Sequence, residues 1–174
     1  VYACLHEDRA WLLMEQWRVS EAKQNFEHAR SLRAAAAELA DPRDKPTLQM
    51  ACFHNDHGIA MALLFSGQVD EARRAYEMAF SNMEGLRQRS NSASTDEDVI
   101  FRRLQNTAER LGDLHLLTMR PQPSKALQWY KGSLEYARRL TSGDTKTPLV
   151  KASYKRAIAA ALDGLAEVAA EAVR

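Results

Sequence analysis

Apolar residues recur every three or four positions through most of this chain, and short polar, Gly- or Pro-containing stretches interrupt them. The spacing predicts seven helices. The first covers about 2–16, with Leu5, Ala10, Leu12 and Leu13 on its stripe. The second starts after Ser20 and runs to about Ala40, where Asp41-Pro42-Arg43-Asp44-Lys45-Pro46 stops it. The third covers about 47–66, ending at Ser66-Gly67, and the fourth starts after Asp70 and fades near Gly85. The polar run Ser90-Asn91-Ser92-Ala93-Ser94-Thr95 has no apolar period and is expected to be a mobile linker. The fifth helix covers about 97–118, up to Arg120-Pro121-Gln122-Pro123. The sixth follows Ser124 and ends near Leu140, and the last runs from about Pro148 to Val173.

A second pattern lies on top of the first. Ala22, Phe26 and Ala29 are echoed by Ala72, Tyr76 and Ala79 at a distance of 50 residues, then by Ala126, Tyr130 and Ser133 after a further 54. A small–aromatic–small trio repeated at this period implies stacked helical hairpins, a class of protein that works by binding. Ser20, Asp70 and Ser124 each precede the repeat alanine by two residues and are expected to cap their helices. Arg30 with Arg33, Arg87 with Arg89, and Arg138 with Arg139 are read as cations at the negative ends of helix dipoles. A 54-residue shift carries Gly58 to Gly112 and then to Ala166. It also carries Leu104 to Ile158, Ala108 to Leu162, Leu111 to Leu165 and Leu114 to Val168, so the last helix reads as the opening half of a fourth unit.

Gly58, Ile59-Ala60, Leu63, Gly67, Asp70-Glu71-Ala72, Tyr76 and Ala79 together resemble a tetratricopeptide repeat, and Leu111-Gly112, Ala126, Tyr130 and Ser133 match the same pattern. The first unit matches through Leu13, Ala22, Phe26 and Ala29, with Arg9-Ala10 where the family usually has a leucine–glycine pair. The resemblance implies an all-α, right-handed superhelix of about three and a half antiparallel hairpins. Its units span about 1–44, 45–94 and 95–146, with a half unit at 147–174, in a single domain. The family's usual period is about 34 residues; here long second helices and linkers extend it. Long-helix variants resemble sensor and scaffold modules of bacterial signalling proteins.

Composition narrows the function without naming it. With 45% apolar and 27% charged residues and a net charge of +1, the 174-residue chain lacks the basic excess of a general nucleic-acid or membrane-surface binder. No apolar run approaches the roughly 20 residues of a membrane span. Two cysteines make no disulfide framework, so a reducing, cytoplasmic setting is expected. Beginning at Val1 inside an apolar-periodic segment, the chain reads as a piece of a longer protein. There is no Gly-rich phosphate loop and no Gly-x-Ser-x-Gly elbow, and neighbouring acids such as Glu7-Asp8 point about 100° apart on a helix. Cys52, His54, Asp56 and His57 are the one metal-like cluster, read as solvated or ligand-facing groups because no further ligands converge. No enzyme, metal or cofactor is expected.

In a stack of hairpins the first helix of each pair lines the concave surface. The residues expected there are Glu7, Trp11 and Met14, then His54, His57 and Met61, then Asn106, Glu109 and Asp113, and finally Asp163 and Glu167. Aromatic and methionine side chains among carboxylates suit a basic or amphipathic peptide segment of a protein partner. The alternative is that Trp11 and Met14 pack within their own pair. A second functional reading is a regulatory sensor that binds a small molecule or signalling peptide and controls an attached effector domain. Ala157, Ala161, Ala169 and Ala170 leave the final helix without a polar cap, which suggests either self-association through it or a further helix downstream.

Overall fold

A computed structural model describes residues 2–89, 96–118, 120–141, 159, 162–166 and 168–170. The fold is all-α, with no strand among the described residues. The helices are α1 (Tyr2–Glu15), α2 (Val19–Leu39), α3 (Lys45–Phe65), α4 (Val69–Arg89), α5 (Asp96–Leu117) and α6 (Pro123–Thr141). The described part of the seventh segment is also helical. The expected linker at 90–95 and most of 148–173 lie outside the described residues. The chain forms two compact units, Val1–Arg89 and Ser90–Arg174. In the first, α2 packs against α1 and α3, and α3 against α4; in the second, α5 packs against α6. Among the described residues, no helix is long and apolar enough to cross a membrane.

The repeated trio is the packing core of these hairpins. Ala22, Phe26 and Ala29, then Ala72, Tyr76 and Ala79, then Ala126, Tyr130 and Ser133 are all buried. Phe26 of α2 lies so close to Gly58 of α3 that a Cβ there would fall 2.6 Å from its ring. Tyr130 is held in the same way against Gly112 and Gly164, where a Cβ would fall 2.7 Å and 2.5 Å from its ring. Glycine is needed at these sites because the aromatic ring occupies the space of a side chain.

Hydrogen bonds in the turns correct the register taken from sequence. Arg18 N–H donates to Leu13 O at 2.9 Å, Gln68 N–H to Leu63 O at 2.9 Å, and Gln122 N–H to His115 O at 2.8 Å. Leu13, Leu63 and His115 therefore occupy one slot, and all three are buried. Ala10, Ala60 and Gly112, each three residues earlier, occupy another. Gly58 corresponds to Arg110 rather than to Gly112, because the turn after α5 has five residues where those after α1 and α3 have three. The 54-residue spacing holds between α4 and α6, while α3 and α5 are related by 52.

Four helix boundaries also differ from expectation. α2, α4 and α6 begin before Ser20, Asp70 and Ser124, so these residues sit inside the first turn rather than at the cap. The position before α2 is Arg18, whose side chain makes no capping bond. α4 continues past Gly85 to Arg89, because Leu86 is buried and Arg87 pairs with Glu84 at 2.7 Å. At the turns, Trp17 (φ 59°) and Gly67 (φ 75°) share the left-handed conformation that lets the chain reverse. Gly67 adopts it without cost; Trp17 does not.

Candidate functional site

The buried stripe of α2 continues past the trio in the same rhythm: Ala22, Phe26, Ala29, then Arg33, which is only 9% exposed. A guanidinium there must be paired on every side to be tolerated. Arg33 forms an ion pair with Glu7 of α1, donates through Nη1 to the Ala51 carbonyl at 3.1 Å, and reaches Cys4 Sγ at 3.8 Å. Asn55, fully buried on α3, accepts from Arg33 Nη1 at 2.9 Å when its amide oxygen faces the guanidinium, the orientation that its neighbours require. His54 Nδ1 lies 3.8 Å from Glu7 Oε1. One buried cation thus ties α1, α2 and α3 together.

Arg30, one turn earlier on α2, donates from Nε to Asp56 Oδ1 on α3. Asp56 is 7% exposed. Burial pushes its carboxyl above the ordinary 3.8, and this outweighs the opposing pull of Arg30 and of a hydrogen bond from Asn82 on α4. The pair sits on the wall of a cleft of about 290 Å³ between α2, α3 and α4. Gln49, Cys52 and Phe53 of α3 and Asn82, Leu86 and Arg89 of α4 supply the rest of that wall. Burial, and then Asp56, raise the Cys52 thiol above 9.0, so the sulfur stays protonated at neutral pH. Arg30 and Arg33 therefore do not serve a helix end: α2 runs on to Leu39, and both arginines bind carboxylates on neighbouring helices.

The residues expected in a groove divide between the two units. In the first, Trp11 and Met14 are half-buried against the cluster of Ala10, Leu13, Ala22 and Phe26, with the Trp11 ring edge-on to Phe26 at 4.9 Å. Glu7 is taken up by Arg33. His57 meets Tyr76 edge-on at 5.2 Å, and His54 and Met61 are half-buried. In the second unit, Asn106 is exposed and Glu109 accepts from Gln105 at 2.9 Å. Asp113 accepts from the Tyr130 hydroxyl at 2.7 Å and lies 3.7 Å from Arg110. Burial, followed by the charge of Asp113, pushes the Glu109 carboxyl above 4.5. Asp163 is exposed, and Glu167 lies outside the described residues. Among the described residues, no three His, Cys, Asp or Glu side chains gather to hold a metal ion, and that includes Cys52, His54, Asp56 and His57.

No protein-family model matches the chain, and no curated protein does. Function has to be argued from the residues that the repeat does not dictate. In register, Arg30 corresponds to Phe80 and Leu134, Arg33 to Met83 and Ala137, and Asp56 to His6 and Ala108. Among the described residues, the buried arginine–carboxylate network belongs to the first unit. Sequence reasoning missed it because Arg30 and Arg33 read as cations serving the negative end of a helix dipole. The available signal was an Arg at the next stripe position after Ala29, together with Asn55 and Asp56 among buried small and apolar residues of α3.

Proposed function

We propose that this chain is a long-helix relative of the tetratricopeptide repeats and acts as a non-catalytic module that binds a segment of a protein partner. The supporting observation is Trp11. Its ring is fixed from behind by Phe26, yet it is only half-buried, beside the half-buried Met14. Large side chains held in place before binding cost little to order and are favoured as interface anchors. Met61 on α3 stands at the Trp11 position in the register that relates α1 to α3 by 50 residues, and the half-buried His54 lies two turns before it on the same helix. Glu7 is neutralised by Arg33, so the preferred partner is an amphipathic segment supplying apolar side chains rather than a strongly basic one.

The experiment is selection of binding peptides on the full chain, followed by affinity measurement against a His54→Ala/Met61→Ser variant. Loss of about tenfold or more is expected. Peptides that bind the double variant as well as the parent, with unchanged helicity, would overturn the proposal.

A further inference from the structure

The cleft between α2, α3 and α4 has features that packing alone does not explain. Gly85 lies inside a helix, where glycine costs about 1 kcal/mol relative to alanine. At Gly58 the cost is explained by the Phe26 ring. A Cβ at Gly85 would meet only Arg89 Nη2, at 3.9 Å. The glycine thus leaves room in the cleft instead of admitting a neighbouring helix.

The charged groups facing that room are unequal. Arg30 is held through Nε by Asp56, which leaves its two terminal nitrogens without a hydrogen bond among the described residues. Arg89 makes no ion pair among the described residues. With Asp56 offsetting Arg30, the described residues of the cleft leave one positive charge uncompensated, that of Arg89. Phe53 and Leu86 are buried and give the remaining wall an apolar character. A volume of about 290 Å³ is at the lower end of ligand pockets, which span ~300–1,000 Å³, and suits a molecule of fragment size.

We infer that this cleft binds a small organic monocarboxylate with a short apolar stem, the carboxylate between the Arg30 and Arg89 guanidinium groups and the stem against Phe53 and Leu86. One carboxylate balances the cation left uncompensated among the described residues, and guanidinium groups present paired donors that fit it. The inference is independent of the peptide-binding proposal, because Trp11, Met14, His54 and Met61 take no part in the cleft.

Hexanoate is the probe, and Cys52 is a built-in reporter because its thiol lines the cleft, while Cys4 lies outside it and serves as the internal control. In the full chain treated with iodoacetamide, 5 mM hexanoate is expected to slow alkylation of Cys52 about fivefold and leave Cys4 unchanged, for a Kd of about 1 mM. Hexylamine, with the same stem and the opposite charge, should protect neither. Arg89→Gln should weaken hexanoate binding about tenfold by calorimetry. Gly85→Leu, which fills the cleft while meeting no backbone, should abolish it in a protein at least as stable as the parent. Absence of protection, equal protection by hexylamine or by inorganic phosphate, or undiminished binding to Gly85→Leu would each overturn the assignment.

Discussion

Arg33 on α2 and Glu7 on α1 form an ion pair whose side chains are only 10% and 16% exposed. Their attraction holds two helices together, but it is achieved by removing both charges from water. Breaking such a pair from one side leaves the other charge stranded, a loss of about 3–5 kcal/mol, whereas replacing both partners with apolar groups is often close to neutral. Arg33→Met alone should therefore lower the urea midpoint steeply, and Glu7→Leu/Arg33→Met should recover most of the loss. Recovery should stop short of complete, because Asn55, with no exposure to water, loses the donor that Arg33 provides. A double variant no better than Arg33→Met would contradict this account.

The same substitution should have opposite signs at two glycines. Gly58→Ala drives a methyl group into the Phe26 ring, and overpacking costs about 1–3 kcal/mol. Gly85→Ala meets only the tip of Arg89, so it should gain about 0.5–1 kcal/mol from helix propensity. Thermal melting of the two variants beside the parent decides it. A destabilised Gly85→Ala would mean that the helix is constrained there in a way the contacts do not record.

At Trp17 the informative comparison is between two replacements. Both Trp17→Gly and Trp17→Ala remove the edge contact with Phe65 at 5.7 Å. Only glycine also relieves the left-handed φ of 59°, which costs other residues about 1–2 kcal/mol. Trp17→Gly should be the more stable of the two by about 1 kcal/mol in denaturant titration. Gly67→Ala should be destabilised by a similar amount, despite the open space around it.

The pH dependence of stability has an unusual sign at Glu109. Burial raises its folded-state carboxyl above 4.5, so over the interval above that value the folded chain keeps a proton that the unfolded chain has released. The stabilising contribution is present at low pH and is lost as pH rises through the folded value. Asp56 acts in the same direction above 3.8. Glu109→Gln should therefore gain on the parent protein as pH rises from about 4 to about 7. A constant difference across that range in urea titrations would show that the carboxyl is not desolvated.

Much of the helical architecture is legible in the sequence because it depends on local spacing. The three- and four-residue rhythm locates the helices, and the small–aromatic–small trio identifies the buried side of α2, α4 and α6. Helix ends are harder to read. Ser20, Asp70 and Ser124 are good capping residues by chemistry, yet backbone bonds from Arg18, Gln68 and Gln122 close the turns two residues earlier. The candidate site is less legible still. Pairings of Arg33 with Glu7 and of Arg30 with Asp56 join residues 26 positions apart, so no local rule records them. The sequence leaves Trp11 and Met14 with two readings, groove or packing within their own pair, because their half-burial against the Phe26 cluster depends on how α1 and α2 meet.

The two additional residues between α5 and α6 affect how this chain can be compared with itself. Each helical residue turns the chain by about 100°, so two residues placed inside a helix would rotate everything after them by about 200° and present the buried face to water. Placed in the turn before Pro123, they rotate nothing, and the hydrogen bond from Gln122 to His115 reproduces the closure seen after α1 and α3. A ruler of constant length laid along the chain therefore loses angular phase at that turn and sets Gly112 opposite Gly58 instead of Ala60. What repeats at the turns after α1, α3 and α5 is a backbone closure, and the number of residues needed to reach it is free to vary.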